Sequence, residues 1–538
     1  MKILVLGGYG VFGARLARLL VADGHEVCIA GRSLQAARAC AQDLGCRAIR
    51  LDRAGSLAAL AEYEVVVDAA GPFQTYGDDP YRLPRTAIAA GLHYLDLSDD
   101  AEFCSGISVL DAAARQAGVC VLSGLSSVPA LSSAAVRALA GDDVPAVIDT
   151  AILPGNRAPR GLSVMQSILS QAGRPLPVWT GHRWERAFGW SKPARYRLPG
   201  GVVRQGWQIG VPDQRLFPAH FGANTVRFRA GLELAVMRYG LAAFAALRRV
   251  VPFPVNRPVV QAFKLLADLL APLGSGRGGM SVTVTTAHEH RSWRLLAEDS
   301  DGPFIPAVAA RALLRRPALP AGAGPALEAI TLAEAEAAMA DLRVVTERHT
   351  APTAPLFPRV LGQDFDTLPE AVRQTHLTVG TSRWTGRCAV RRGTGLWSRV
   401  LCAIFRFPPA SDDIAVDVTK VATARGETWV RRFGRNTFRS HLSVAPDGLQ
   451  ERFGPFTFAI GLKSCDGALH YPVTAGRMGP IPLPRWLLPV SVAHESEADG
   501  TFRFDVAILA PMTKALLVRY RGYLAAAEPD DPTQPPRG

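Results

Sequence analysis

Three glycines near the N-terminus are spaced Gly8-x-Gly10-x-x-Gly13, directly after the apolar run from Lys2 to Leu6. Glycines at this spacing permit a tight turn, a close approach of the backbone to a pyrophosphate, and close packing of a helix on a strand. A helix that begins at Ala14 would present free N–H groups and a positive dipole end to phosphates. The pattern therefore predicts a dinucleotide site formed by Gly7, Gly8, Tyr9, Gly10, Val11, Phe12 and Gly13.

The residues after the second predicted strand, Glu26 to Ala30, indicate which dinucleotide binds. NAD sites usually carry Asp or Glu there to bind the ribose 2′-hydroxyl, whereas this chain has Arg32 and Ser33. A guanidinium offers a permanent charge and two parallel donors to a 2′-phosphate. We therefore predict NADP (NADPH) as the cofactor. The alternative is that Arg32 only caps a solvated loop.

Further polar and turn residues follow the next predicted strands. Asp52 ends the third strand, and the turn Ala70-Gly71-Pro72-Phe73 follows the fourth strand, Val65 to Asp68. Because ligands of such sheets bind outside the carboxyl ends of the strands, we expect Asp52 and this turn to face the cofactor.

The fifth predicted strand supplies the candidate catalytic residues His93, Tyr94 and Asp96. A histidine can transfer protons near neutral pH, and a carboxylate can orient it. The alternative is a buried strand whose histidine is hydrogen-bonded structurally. Tyr-x-x-x-Lys is absent at the tyrosines of this region, and Ser123 to Ser127 lacks the Gly-x-Ser-x-Gly spacing of a hydrolase elbow.

The segments VVVDAAGPFQTYG, AIAAGLHYLDLSDD and GLSSVPALSSAAV, together with GGYGVFG and AGRS, resemble the saccharopine dehydrogenase-like reductase family over about residues 1–345. The resemblance implies an NADP-binding Rossmann domain, a second domain with substrate and dimer contacts, and a return of the chain to the first domain. Members of the family reduce different substrates, which include amino-acid imines and lipid-like enoyl groups. The C-terminal part resembles an uncharacterised bacterial domain of unknown function that is fused to such reductases.

Composition limits the class of protein. The chain has 538 residues, 48% hydrophobic and 20% charged, which is typical of an ordered, multidomain globular protein. The net charge of +13 comes almost entirely from arginine, and no nucleic-acid-binding motif accompanies it, so we predict no nucleic-acid partner. Eight cysteines without paired spacing, and no signal peptide, favour a cytoplasmic location. His288 and His290 flank Glu289 without a third ligand cluster, so we predict no metal site.

The predicted fold class is α/β with a C-terminal β domain. It comprises an N-terminal Rossmann doubly wound parallel sheet, a mixed α/β second domain, and a mainly antiparallel β domain. The predicted segments are 1–135 (NADP binding), 136–280 (substrate and dimerisation), 281–348 (return to the Rossmann domain), 349–358 (linker), 359–525 (β-rich domain) and 526–538 (disordered tail). Two apolar helical stretches, Leu232 to Leu247 and Val259 to Leu273, are too short to cross a bilayer and could form a substrate wall or a dimer face.

Three functions are compatible with these features. The preferred one is an NADP-dependent oxidoreductase of a small-molecule or lipid-like substrate. The alternatives are a non-catalytic NADP-binding sensor or scaffold, and a lipid-binding or apolar-ligand-binding protein with a degenerate reductase domain. In the C-terminal domain Arg485 precedes Trp486, Leu487 and Leu488, an apolar edge beside a cation that suits an amphipathic ligand or peripheral contact with the inner membrane. The other interpretation is that Trp486 fills the core of that domain. A second copy of this chain is a further possible partner, which would form a homodimer.

Overall fold

The structure is a computed structural model that describes residues 1–251, 253–405, 407–423, 425–446 and 448–536. Within these residues the strands form three sheets, which follow one another along the chain with two exchanges between the first and the second. The predicted fold class is confirmed: a parallel Rossmann-like sheet, a mixed sheet and a large antiparallel sheet.

The first sheet is parallel and is buried on both faces. Its N-terminal strands read as short Val/Ile/Leu runs, and Ile3, Leu4 and Val5 have no exposed surface because helices cover both sides. The N-terminal strands are β1 Lys2–Leu6, β2 Glu26–Gly31, β3 Arg47–Arg50, β4 Val65–Asp68, β5 His93–Asp96 and β6 Cys120–Ser123. The helices of this part are α1 Gly13–Ala22, α2 Leu34–Leu44, α3 Arg82–Ala89, α4 Ala101–Gly106, α5 Asp111–Ala117 and α6 Ser132–Ala140.

The second sheet begins where the chain leaves α6. Its strands are β7 Val147–Leu153, β8 Pro175–Trp179, β9 Trp184–Phe188, β10 Ala194–Arg197, β11 Val203–Gln208, β12 Thr225–Gly231, β13 Gly278–Thr285 and β14 Glu289–Ala297. The helices are α7 Leu162–Gln171, α8 Pro212–Phe221, α9 Ala235–Val250 and α10 Arg257–Leu269. The last two correspond to the predicted apolar stretches, and none of the described helices is long and apolar enough to span a membrane.

The chain then returns to both sheets. Helix α11 Ile305–Leu314, strand β15 Gly322–Pro325 and helix α12 Leu332–Ala338 complete the first domain, with β15 parallel to β6. Strand β16 Val344–Pro352 pairs with β14 in the second sheet. The first sheet has the order β15-β6-β5-β4-β1-β2-β3, and the main path of the second is β10-β11-β12-β7-β13-β14-β16.

These pairings correct two predicted boundaries. Segment 281–348 was expected to return to the Rossmann domain, and α11, β15 and α12 do so, but its strands β13, β14 and β16 belong to the second sheet. The expected linker 349–358 begins inside β16, because His349 to Pro352 complete the ladder with β14. Proline and threonine at an edge strand look like a linker in sequence, since such a strand needs hydrogen bonds on one side alone.

The third sheet is antiparallel and contains thirteen strands of the described chain. Helices α13 Leu356–Leu361, α14 Glu370–His376 and α15 Leu396–Ile404 accompany it. The strands are β17 Thr381–Arg392, β18 Ser411–Thr423, β19 Gly426–Phe433, β20 Asn436–Ala445, β21 Gly448–Phe453, β22 Phe456–Ile460, β23 Lys463–Cys465, β24 Ala468–His470, β25 Val473–Met478, β26 Ile481–Pro482, β27 Val490–Ala498, β28 Thr501–Leu509 and β29 Leu516–Ala526. Its order is β23-β24-β27-β28-β29-β17-β18-β19-β20-β21-β22-β25-β26, and it has its own core.

Candidate cofactor and substrate site

The glycine loop between β1 and α1 has the geometry that its spacing predicts. A Cβ on Gly8 would lie 2.8 Å from the Val5 carbonyl oxygen, and one on Gly13 would lie 2.3 Å from the Gly7 carbonyl oxygen. A Cβ on Gly10 would meet a single protein atom within 4 Å, the Gly7 carbonyl oxygen at 3.1 Å. Gly8 and Gly13 are therefore required by the fold, whereas the side of Gly10 is open to a ligand.

The loop residues around these glycines have separate roles. The ring of Tyr9 covers Gly31, where an added Cβ would lie 2.4 Å from it, and its hydroxyl accepts a hydrogen bond from the Ser33 backbone N–H at 3.3 Å. The Val11 carbonyl accepts from the Arg15 guanidinium at 2.6 Å. Phe12 lines an apolar cavity between the glycine loop and the second domain. Tyr9 thus fixes the end of β2 against the glycine loop.

Arg32 and Ser33 lie at the carboxyl end of β2, as predicted. Ser33 caps α2, since its hydroxyl accepts from the Ala36 backbone N–H at 3.3 Å. Arg32 is exposed and has no hydrogen bond or ion pair to another described residue. A solvent-facing guanidinium beside the glycine loop fits a 2′-phosphate. Asp52 follows β3 and is exposed, and it accepts from the Ala54 backbone N–H at 3.0 Å.

The turn after β4 meets the glycine loop directly. A Cβ on Gly7 would lie 2.6 Å from Cα of Ala70. The turn is held by Asp68, whose carboxylate accepts from the Ala70 backbone N–H at 3.0 Å and from the Tyr76 hydroxyl at 3.2 Å. Phe73 packs on Tyr76 with ring centroids 4.9 Å apart. The structure therefore brings Ala70, Gly71, Pro72 and Phe73 to the same edge as residues 7 to 13.

His93 lies away from this edge, contrary to its predicted place on the crevice. It is the first residue of β5 and pairs with Val65, the first residue of β4, so it stands at the amino ends of the strands. A strand of four residues spans about 10 Å, which separates the two edges of the sheet. The ring Nδ1 accepts from the Cys120 backbone N–H at 2.9 Å, and burial lowers the pKa of His93. This is the structural role that was the alternative.

Tyr94 and Asp96 are both inaccessible to solvent. Tyr94 is buried in the core between the sheet and its helices, which corrects its placement on the crevice rim. Asp96 ends β5, and its Oδ1 accepts from the Ser98 N–H at 2.9 Å, the Gly124 N–H at 2.8 Å and the Ser123 hydroxyl at 2.9 Å. Burial raises the pKa of Asp96 to about 7. Asp96 thus ties the loop after β5 to the loop after β6.

An apolar cavity of about 420 Å³ opens between the glycine loop and the second domain. Phe12 and Ser127 line it from the first domain, and α7, α9 and α10 line it from the second. Among the described lining residues, Ser127 and Arg160 carry the hydroxyl and the charge; the other side chains are apolar apart from the Trp190 indole N–H, which donates to the Arg238 carbonyl. The predicted substrate wall from the two apolar helices is part of this cavity.

Arg160 is a residue that the sequence did not reveal. Its guanidinium donates to Asn156 Oδ1 at 2.6 Å, and Asn156 is held in turn by the Leu270 carbonyl and by Glu233 Oε2. Burial lowers the pKa of Arg160, although an arginine keeps its charge. Arg160 lies in an irregular loop without a motif, so no spacing could have pointed to it.

Comparison with known proteins identifies both ends of the chain. Residues 3–122 match the saccharopine dehydrogenase NADP binding domain, and residues 368–524 match a domain of unknown function, DUF4166. The chain therefore combines a saccharopine dehydrogenase-type NADP-binding domain with a C-terminal DUF4166 domain. No curated protein matches the chain.

Two solved structures illustrate the similarity. The apo saccharopine dehydrogenase (L-Glu forming) from Saccharomyces cerevisiae is 15% identical, with 65% of this chain and 99% of that chain covered and a TM-score of 0.44. GenD2 from gentamicin A biosynthesis, in complex with NAD, is also 15% identical, with 53% and 70% covered and a TM-score of 0.27.

Proposed function

We propose that this protein is an NADPH-dependent reductase of an apolar, lipid-like carbonyl or enoyl compound. The observation that carries the proposal is the 420 Å³ apolar cavity, which reaches Phe12 of the glycine loop. A pocket of about 300–1,000 Å³ with apolar walls and few polar groups suits a small organic ligand. The family match of residues 3–122 supports the NADP-binding half of the proposal.

The loop residues suit NADPH in particular. The open side of Gly10 leaves room for the pyrophosphate, and Arg32 offers its guanidinium to the 2′-phosphate. The bound cofactor would supply a hydride. The apolar helices α7, α9 and α10 would exclude water from the reacting carbon and hold the hydrocarbon part of the substrate.

Arg160 is the candidate for orienting the substrate. A substrate oxygen facing the guanidinium would accept a hydrogen bond that strengthens as negative charge develops on it. The hydrogen bond to Asn156 keeps Arg160 directed along one wall, because Asn156 is itself buried and fixed on both sides. Ser127 is a second donor on the cavity wall.

The proposal is tested by following NADPH absorbance with pairs of ketones and enoyl esters of short and long chain. We expect oxidation with the long-chain member and little with the short one. Val164→Trp narrows the cavity with an indole ring and should sharply lower turnover of the long-chain substrate while NADPH binding persists; Val109→Trp, at a position 75% exposed, is the matched control. Turnover of short substrates alone, or unchanged activity in Val164→Trp, would overturn the proposal.

Arg160→Met tests whether Arg160 orients the substrate without contributing to NADPH binding. Loss of one preorganised donor to a developing oxyanion costs about 100-fold in kcat/KM, and NADPH affinity should not change. Arg157→Met removes a neighbouring exposed arginine and should be neutral. Equal activity of the two variants would show that Arg160 does not act on the substrate.

One observation favours a second function, NADP binding without turnover. Among the described residues that line the cavity there is no His, Cys, Lys, Tyr, Asp or Glu to supply a proton. This function predicts stoichiometric NADPH binding by calorimetry and no oxidation with any long-chain carbonyl or enoyl compound.

A further inference from the structure

A second cavity lies inside the C-terminal domain, far from the glycine loop in sequence. It measures about 430 Å³, and the third sheet curls around it, because residues from β18 to β22 and from β27 to β29 line the same space. Nine phenylalanines contribute to the wall: Phe405, Phe407, Phe433, Phe438, Phe453, Phe456, Phe458, Phe502 and Phe504. Because protein interiors are normally close-packed, an open space of this size with apolar walls suits an apolar ligand.

Polar side chains are gathered on one part of this wall. Lys420 is 1% exposed and donates to the Thr375 carbonyl at 2.6 Å, and its Nζ lies 4.0 Å from the centre of the Trp429 ring. Glu495 accepts from the Tyr471 hydroxyl at 2.5 Å and lies 2.5 Å from His376 Nε2. These groups can both donate to and accept from a ligand head group.

The protonation states of these groups fit one another. Burial, reinforced by Lys420, lowers the pKa of His376 to about 4, so the ring is neutral. Nε2–H then donates to Glu495, and Nδ1 faces the Lys420 ammonium at 3.5 Å. Burial also lowers the pKa of Lys420 to about 8, which leaves it mainly charged at neutral pH. Lys420 has three N–H donors; among the described residues the Thr375 carbonyl and the His376 ring accept from it, and the Trp429 ring faces the ammonium at 4.0 Å.

The charges that face the cavity are balanced. Lys420 stands against Glu495, and Arg431 donates to Glu451 at 3.1 Å and to the Ser440 hydroxyl at 2.7 Å. Behind Lys420, burial raises the pKa of Glu427. A charged ligand would add an unpaired charge to this low-dielectric space, which is costly. An uncharged head with one oxygen would accept a hydrogen bond from Lys420 without that cost.

The cavity has an apolar mouth at the surface. Leu487 and Met512 line the cavity, yet they are 38% and 69% exposed. Beside them Ile481 and Trp486 are also exposed, so Trp486 does not fill the core of the domain. The sequence interpretation of this segment as an apolar edge thus corresponds to the rim of the cavity.

We propose that the DUF4166 domain is a binding site for an uncharged, elongated apolar molecule with one hydroxyl or carbonyl group, which enters past Leu487 and Met512 and places its oxygen at Lys420 and Glu495. The site is independent of the proposed reductase activity. Its ligand class overlaps with that of the reductase cavity, and the two cavities have nearly the same volume.

The test is competition for N-phenyl-1-naphthylamine, an uncharged apolar fluorophore, in the full chain carrying Val164→Trp, which narrows the reductase cavity and so weakens binding there. The competitors share a twelve-carbon chain: dodecan-1-ol, 2-dodecanone, dodecanoate and dodecylammonium. We expect one fluorophore per chain, and displacement by the alcohol and ketone at concentrations about tenfold lower than by either ion.

Two variants locate the site. Lys420→Met should raise the dodecan-1-ol concentration needed for displacement about tenfold, as expected for one lost hydrogen bond. Met512→Glu, at the exposed mouth, should fold and should lower the affinity for the fluorophore. It keeps the site testable even if Lys420→Met fails to fold. Val444→Glu is the control, because Val444 is 41% exposed in the same domain and lies outside the cavity lining.

These measurements test ligand binding by the C-terminal domain alone. The strongest displacement by dodecanoate would make it a fatty-acid site and overturn the proposal, as would unchanged affinity in Met512→Glu. Absence of bound fluorophore would show that the cavity is closed to ligands. None of these results depends on NADPH turnover, which is measured separately in the chain without Val164→Trp.

Discussion

Gly8, Gly10 and Gly13 share one motif but face different surroundings. An added Cβ at Gly13 would lie 2.3 Å from the Gly7 carbonyl oxygen, whereas one at Gly10 would meet that oxygen alone, at 3.1 Å. We therefore predict that Gly10→Val leaves a folded protein that has lost NADPH, and that Gly13→Val loses the fold as well. Thermal melting and calorimetric NADPH titration check this. Retained NADPH binding in folded Gly10→Val would show that the loop is only a turn.

Arg32 should decide between NADPH and NADH. We predict that Arg32→Asp weakens NADPH binding by about 10- to 150-fold, the equivalent of roughly 1.5–3 kcal/mol for a charged hydrogen bond, and leaves NADH affinity nearly unchanged. Arg399→Asp, an exposed site in the C-terminal domain, applies the same charge change elsewhere and should not affect either affinity. Equal affinity of the natural protein for NADPH and NADH would contradict the predicted role of Arg32.

The sequence predicted the geometry of the glycine loop, and it misplaced His93 and Tyr94 among the catalytic candidates. Glycine spacing fixes backbone geometry, so Gly8, Gly10 and Gly13 could be placed from their types alone. His93 was misplaced because it begins the strand, whereas the carboxyl edge of a parallel sheet is formed by the last residue of each strand, here Asp96. Arg160 was missed because it lines the cavity from an irregular loop of the second domain, and its place beside the first domain follows from the tertiary fold.

At the scale of elements, Asp96 couples the ends of β5 and β6. Its unfolded pKa is near 3.9, and burial raises the folded value to about 7. The carboxyl is thus stabilised in its protonated form, so its contribution to stability is complete below about pH 4 and is lost as pH rises through 7. We expect this group to lower the free energy of unfolding by up to about 1.4 kcal/mol per pH unit in that window.

Asp96→Asn is the variant that checks this effect. The amide oxygen can still accept from Ser98, Ser123 and Gly124, but it does not titrate. Urea unfolding at pH 5 and pH 8 should show that the variant gains stability relative to the natural protein as pH rises. A constant difference between the two proteins at both pH values would contradict the raised pKa.

Helices α9 and α10 show what element-level sequence patterns can and cannot predict. Their apolar character predicted either a wall for a hydrophobic substrate or a dimer face, and in the structure both helices line the cavity. The exposed faces, with Leu265 and Leu269 each 73% exposed, are the part of the pattern that the cavity does not use. Period and composition identify an apolar helix, but they do not show which of its faces meets the rest of the protein.

At the scale of the whole molecule, the main domain boundary follows residue 352. The first two sheets exchange strands and helices, so they share one core cluster. The third sheet contains no strand from the described part of residues 1–352, and its core cluster begins at Leu356. Alternating strand patterns predicted this sheet, whereas the cavity within it depends on curvature that no local pattern encodes.

Several polar contacts join the C-terminal domain and the segment after it to the second sheet. The Arg383 guanidinium pairs with Glu185 and donates to the Thr180 carbonyl, and the Asp530 carboxylate accepts from the Trp184 backbone N–H at 2.9 Å. Exposed or half-exposed pairs of this kind contribute at most about 1 kcal/mol each. The core of the domain, by contrast, is formed within residues 356–524.

We therefore predict that a fragment of residues 355–526 folds on its own. It should melt in one cooperative transition by circular dichroism, because every strand of the third sheet keeps its partners. Val518→Asp, at a fully buried core position, should abolish that transition, whereas Val444→Asp, at an exposed one, should shift it little. A fragment that melts without cooperativity, or folds only when residues 1–353 are added, would mean that the reductase half supplies part of this core, and that the Glu185–Arg383 contact marks a larger interface than its few hydrogen bonds indicate.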